Sequence, residues 1–169
     1  MTTAGTGKMA GDARAGCHIV NITLDEDSVV SRSADIEHER ATAIADLLEE
    51  NTFVPVSGRQ GPFDLHLAIA ENRLNLDIRS RSDRSVETIV LPLAPFRGIV
   101  KDYFMVCESY YAAVHASRLA QIEAIDMGRR SLHDEGSALL IERLAGKVAI
   151  DHATARRLFT LICVLHLRG

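Results

Sequence analysis

The chain has 169 residues, 47% apolar and 25% charged, the proportions of an ordinary globular protein long enough to bury a substantial core. A formal charge of −4, with histidines neutral, argues against a dedicated nucleic-acid binder, which normally carries a basic surplus. No secretory or membrane segment is legible: the start, MTTAGTGKMAGDARAGC, lacks an apolar core, and the apolar run Leu158 to Leu167 is too short for a span.

Residues 1–16 read as a flexible leader rich in Gly, Ala and Thr, and 17–169 as a single α+β domain. Cys17 to Leu24 forms a first strand. Asp35 is a good N-cap for a helix ending before Asn51, with Ile36, Ala43, Ile44, Leu47 and Leu48 as its apolar face. Glu37 and Arg40 project toward that same face. Two readings follow: they overhang the core edge and reach water, or they form a partly buried ion pair or ligand-facing pair. Thr52 to Val56 is a short strand whose Pro55 marks an edge.

Two period-two runs flank Glu71–Asn72–Arg73, with Leu65, Leu67 and Ile69 before it and Leu74, Leu76 and Ile78 after it. They form a β-hairpin. A polar loop with Arg79, Arg81 and Arg84 leads to a further strand in SVETIVLPL. The chain then turns helical. Five of its eight aromatic residues lie between Pro95 and Ser117, with Phe96, Val100, Tyr103, Phe104, Cys107, Tyr110 and Tyr111 on one face. Sheet and aromatic helix are expected to be the two layers of the core. Ser117 is placed to cap the next helix and Gly146 to stop it, with Gly128 and Gly136 arguing against one unbroken rod. Lys147 to Ile150 is a short extended piece, after which Asp151 caps a last helix. Residues 158 to 167 are apolar almost all round, which buries that helix either in the core or at a subunit contact. Strands followed by helices give α+β, an antiparallel or mixed sheet of about four to five strands covered by about four helices.

Chemistry-bearing motifs are sparse. His38, between Glu37 and Glu39, cannot gather its neighbours on one metal, because adjacent helical residues diverge by about 100°. Glu108 and His115 share a polar strip with Arg97 and Lys101, but lie about 10 Å apart along the axis. Glu123, Asp126, Arg130, His133 and Asp134 share one helical side and read as an exposed, ion-paired strip. Arg129 points instead toward Ile122, Ile125, Leu132 and Gly136. A guanidinium there requires a carboxylate or an anionic ligand, with Glu37 or Asp102 as candidate partners. Arg156 and Arg157 sit at the helix end less favourable to cations; they are solvated, held by acids elsewhere, or in contact with an anion. The three cysteines, Cys17, Cys107 and Cys163, show no CxxC or zinc spacing and suit a reducing cytoplasm. His166, three residues after Cys163, reads as a packed residue. No phosphate-cradling loop, nucleophile elbow or nucleotide fingerprint is present.

The stretches TLDEDS, DIEHERA, FDLHLAIAENRLNLDIR, PFRGIVKDYFMVCESYY, QIEAIDMGRRSLHDEGS and RLFTLICVLHLRG together resemble uncharacterised protein family 0262, a group of small bacterial proteins. The resemblance spans Ile19 to Gly169. It implies no activity, cofactor or catalytic residue. An aromatic often stands in that family where this chain has Leu167, so the C-terminus would pack slightly differently.

Three functional expectations follow. The first is a binding or regulatory protein of the cytoplasm, self-associating or meeting a protein partner, motivated by the apolar last helix and the aromatic one. The second is a small enzyme or anion-binding protein. It would act on a phosphorylated or carboxylated metabolite through a cleft of Glu37, Arg40, Lys101, Asp102, Tyr103 and Arg129. The weakest is RNA contact through Arg79, Arg81 and Arg84. No cofactor or metal is predicted.

Overall fold

The computed structural model describes residues 16–26, 34–80 and 84–165. The expected leader up to residue 15, Arg81, His166 and Leu167 lie outside the described residues. Among these described residues six strands and four helices follow one another: β1 (Ile19–Leu24), α1 (Ala34–Glu49), β2 (Phe53–Pro55), β3 (Phe63–Ala70), β4 (Arg73–Arg79), β5 (Ser85–Pro92), a 3-10 turn (Ala94–Phe96), α2 (Arg97–His115), α3 (Leu119–Leu144), β6 (Val148–Ile150) and α4 (His152–Leu165). The fold is α+β, with its C-terminal half helical.

The main sheet has the order β1-β3-β4-β5 and is mixed: β1 runs parallel to β3, and the other pairs are antiparallel. Alternation along the strands gives the sheet one dry face. Phe63, Leu65 and Leu67 of β3 are buried with Leu74, Leu76 and Ile78 of β4 and with Ile89 and Leu91 of β5. The other face carries Asp77, whose carboxylate accepts from Arg79 at 2.9 Å, Ser85 at 2.5 Å and Thr88 at 3.3 Å. The hairpin turns as expected. Glu71 and Asn72, with φ of 52° and 61°, make the two-residue left-handed turn that matches strand twist. The Pro55 strand pairs with β6 in a separate two-stranded ribbon.

The helices pack in the sequence α2 on α3, α3 on α4 and α4 on α1. This corrects the expectation that the aromatic helix is the main second layer. The central helix is α4, whose residues from Leu158 to Leu165 are all buried within one chain. The apolar circumference of that segment is therefore taken up inside the chain. Asp151 caps α4 as expected, its Oδ1 accepting from the Thr154 N–H at 2.8 Å.

Ser117 is not the cap of α3. It adopts φ 54° and closes α2: its N–H reaches the Val114 carbonyl at 3.1 Å, and that of Arg118 reaches Ala113 at 3.0 Å. This is the left-handed helix ending usually given to glycine. The N-cap of α3 is Arg118, without a side-chain cap bond. Helix α3 runs unbroken through both glycines: Gly128 faces open space, and Gly136 makes room for the Phe159 ring.

One side chain ties α1 to the sheet. Asn51 donates to the carbonyls of Ile19 and Leu47 at 2.8 Å each and accepts from the Ile19 N–H at 2.7 Å. It satisfies a carbonyl at the end of α1 and both backbone groups at the start of β1. Asn51→Ala is expected to lose about 2 kcal/mol in urea unfolding, because an unmade buried hydrogen bond costs more than a made one gains. A loss within 0.5 kcal/mol, roughly the ordinary surface range, would contradict this role.

Candidate functional site

Where α1, α3 and α4 meet beside Tyr103 of α2, a cleft of about 330 Å³ opens. Four guanidiniums line it, Arg129 and Arg130 from α3 and Arg156 and Arg157 from α4, together with His133 and Thr160. Helix α1 contributes Glu39 and Asp46. Four cations and two carboxylates line the cleft, and Asp126 and Asp134 stand beside it within pairing distance of three of the four arginines.

The arginines are held to different degrees. Arg129 donates to Asp126 at 2.7 Å, lies 3.8 Å from Glu39, and stacks over Tyr110 with its Cζ 4.5 Å from the ring centre. Burial pulls its guanidinium down, yet the Asp126 hydrogen bond and the nearby Tyr103, Asp126 and Glu39 leave it above the ordinary arginine value. The same hydrogen bond holds Asp126 below the usual carboxylate range. Arg130 shares Asp126 at 2.9 Å. Arg156 reaches Asp134 only at 3.9 Å. Arg157 bonds the Ala153 carbonyl at 3.1 Å and has no carboxylate partner among the described residues. Most of the N–H donors of this last pair are left for water or a ligand.

Behind them lies a ring of fixed hydrogen bonds. The Arg156 Nε–H approaches His133 Nδ1 at 3.3 Å, and His133 Nε2 lies 2.8 Å from Thr160 Oγ1. The Thr160 hydroxyl reaches the Arg156 carbonyl at 3.2 Å. A guanidinium only donates, so Nδ1 accepts, Nε2 carries the proton and donates to Thr160, and Thr160 donates onward. Each group has its role fixed by the last. Burial, together with the charges of Arg156 and Arg129, pushes His133 down to about 4, so the ring is neutral at physiological pH. Its edge packs between Tyr103 and Phe159, with centroids 5.4 and 5.6 Å away.

A second cavity, of about 360 Å³, lies between α1, α2 and α4 and shares Glu39, Tyr103 and Thr160 with the first. Glu39 is the partition: its carboxylate accepts from the Tyr111 hydroxyl on one side and faces Arg129 on the other. Burial and that acceptor raise the Tyr111 phenol above its ordinary value, and burial raises Tyr103 too. Burial also pushes the Cys107 thiol up to about 11 and Cys163 well above the ordinary thiol. These groups stay protonated at neutral pH and offer no activated nucleophile.

Of the six residues expected to form one cleft, the structure brings together Tyr103 and Arg129. Arg40 is half-buried and pairs with Glu26, with Glu37 at 3.9 Å, in a separate and more open recess. Lys101 and Asp102 are exposed on α2. The expected partners of Arg129, Glu37 and Asp102, are corrected to Glu39 and Asp126. Glu37 and Glu39 stand two residues apart, about 200° around the helix, so only one can face the cleft. His133 is corrected from an exposed strip to the half-buried wall of the cleft. His38 is exposed, and no cluster of three metal-ligating side chains occurs among the described residues. His115 lies 3.8 Å from Asp35. Arg79 is held by Asp77 at 2.9 Å. No helix among the described residues is long and apolar enough to cross a membrane.

The model of an uncharacterised protein family, UPF0262, matches residues 16–168. The chain is 60% identical over 159 residues to a UPF0262 protein of Rhodospirillum rubrum, covering 94% of this chain and 98% of the relative. It is 57% identical to one of Rhodopseudomonas palustris over the full length of both, and 56% identical to one of Xanthobacter autotrophicus over 94% and 97%. No solved structure matches it.

Proposed function

The chain belongs to the uncharacterised protein family UPF0262, whose description names no activity, and from its geometry we propose that it is a binding protein for a small anion. The observation that carries this reading is the convergence of Arg129, Arg130, Arg156 and Arg157 on one cleft, where Arg156 meets a carboxylate only at 3.9 Å and Arg157 has none among the described residues. Guanidiniums with donors left over after such pairing match a planar, bidentate carboxylate or a phosphate from outside. The His133–Thr160–Arg156 ring fixes the Arg156 backbone and Nε, which preorganises one donor fork and lowers the cost of binding. Neutral His133 and the protonated Tyr103 phenol line the site. The site is built to hold rather than to attack, which favours a binding or regulatory role over catalysis.

Calorimetry with inorganic phosphate on the full chain tests this at two ionic strengths. Arg156→Gln and Arg157→Gln are each expected to weaken binding about tenfold, the loss of one charge-assisted contact. Heat that is absent in the wild type, or unchanged in both variants, would overturn the assignment.

A further inference from the structure

The two cavities differ in chemistry and meet at one carboxylate. Beyond Glu39 the second cavity is lined by Ile36, Phe104, Cys107, Ala112, Cys163 and Val164, with Tyr103 and Tyr111. Its far edge carries Asp35, Glu108 and His115. An anionic head is thus attracted at one end, where the arginines stand, and opposed at the other, where the acids stand. Two cavities of about 330 and 360 Å³ are each the size of a ligand pocket, and together they suit one elongated molecule.

We propose that the ligand is an amphipathic anion, with a carboxylate or phosphate head in the arginine cleft and a hydrocarbon chain in the cavity between α1 and α2. Glu39 is the partition it displaces. The carboxylate of Glu39 now occupies Arg129 and the Tyr111 hydroxyl, the two donors that border the passage between the cavities. An incoming head replaces Glu39 at Arg129, and rotation of the Glu39 side chain toward solvent joins the cavities. Glu39 is 23% exposed, so a path to water exists. This proposal rests on the anion-binding reading of the cleft and adds the chain to it.

The test uses the full protein, inorganic phosphate and unbranched carboxylates from acetate to decanoate, each below its micelle concentration. Affinity is expected to rise about fourfold per methylene until the cavity is full. Ala112→Trp, an exposed helix position at the cavity wall, is expected to flatten that rise while leaving phosphate affinity unchanged. Glu39→Gln, which removes the competing charge, is expected to tighten binding of the whole series. If phosphate and acetate bind but chain length adds nothing, the amphipathic ligand is refuted and the anion site stands. If nothing binds, both fail.

Discussion

Gly136→Ala is expected to destabilise the protein by about 3 kcal/mol, although the same change in a free helix would stabilise it by about 1 kcal/mol. The added methyl carbon would lie 2.3 Å from Cζ and 2.4 Å from Cε1 of Phe159, far inside contact distance. The ring cannot retreat cheaply. Phe159 is fully buried, with Tyr103 and His133 packed edge-on at 5.7 and 5.6 Å. Helices α3 and α4 would have to move apart instead, opening the wall of the arginine cleft. For a chain of this length the melting temperature should fall by roughly 6–12 °C. Phe159→Leu in the Gly136→Ala background should recover part of the loss, a coupling of about 1–2 kcal/mol in a double-mutant cycle. Equal stability of Gly136→Ala and wild type would mean that the helices do not approach so closely.

The second large effect is acid lability from His133. Its folded value of about 4 lies below the ordinary 6.5 of an unfolded histidine, so the unfolded chain takes up the proton first. Stability from this group is complete above about pH 6.5 and is lost as pH falls from 6.5 toward 4; below that both states are protonated and the loss levels off. The full difference is on the order of 3 kcal/mol. The groups facing His133 support the sign: Arg156, Arg129 and Arg157 disfavour its charge, and only Asp134 opposes them. Asp77, Asp126 and Asp151 have lowered values, so their contributions fall away at lower pH, beneath the ordinary carboxylate value of 3.8. His133→Gln should therefore flatten the stability slope between pH 6.5 and 4.5 and spare the steeper fall beneath it. Parallel slopes for variant and wild type would contradict a half-buried His133 that is neutral in the folded chain.

Local rules made much of this fold legible. Alternation around Glu71–Asn72 fixed the hairpin, Asp151 announced its helix, and the order of strands before helices gave α+β. Ser117 misled because its conformation, not its side chain, ends a helix. The arginine cleft was partly legible. Arg129 stood out because its helical phase pointed inward while its charge demanded a partner. His133 did not stand out, because α3 packs against α2 on one side and α4 on the other and so has no single polar face. Glu39 was hidden by its neighbours. In IEHER three charged residues and a histidine alternate, and which carboxylate faces inward depends on how α1 is rolled against α4. Thr160 carried no signal at all, since a threonine in an apolar run looks like another small core residue. Convergence of two arginine pairs, Arg129–Arg130 and Arg156–Arg157, from two successive helices is a property of helix packing, and no local spacing encodes it.

The most direct test of the arginine cleft as a ligand site is an NMR titration of the arginine Nε–H resonances with inorganic phosphate on the full chain. Saturable shifts are predicted for Arg129, Arg130, Arg156 and Arg157, all with one apparent affinity, while the exposed Arg84, Arg97 and Arg118 drift little. Weak, unsaturating shifts shared equally by all seven would contradict the account.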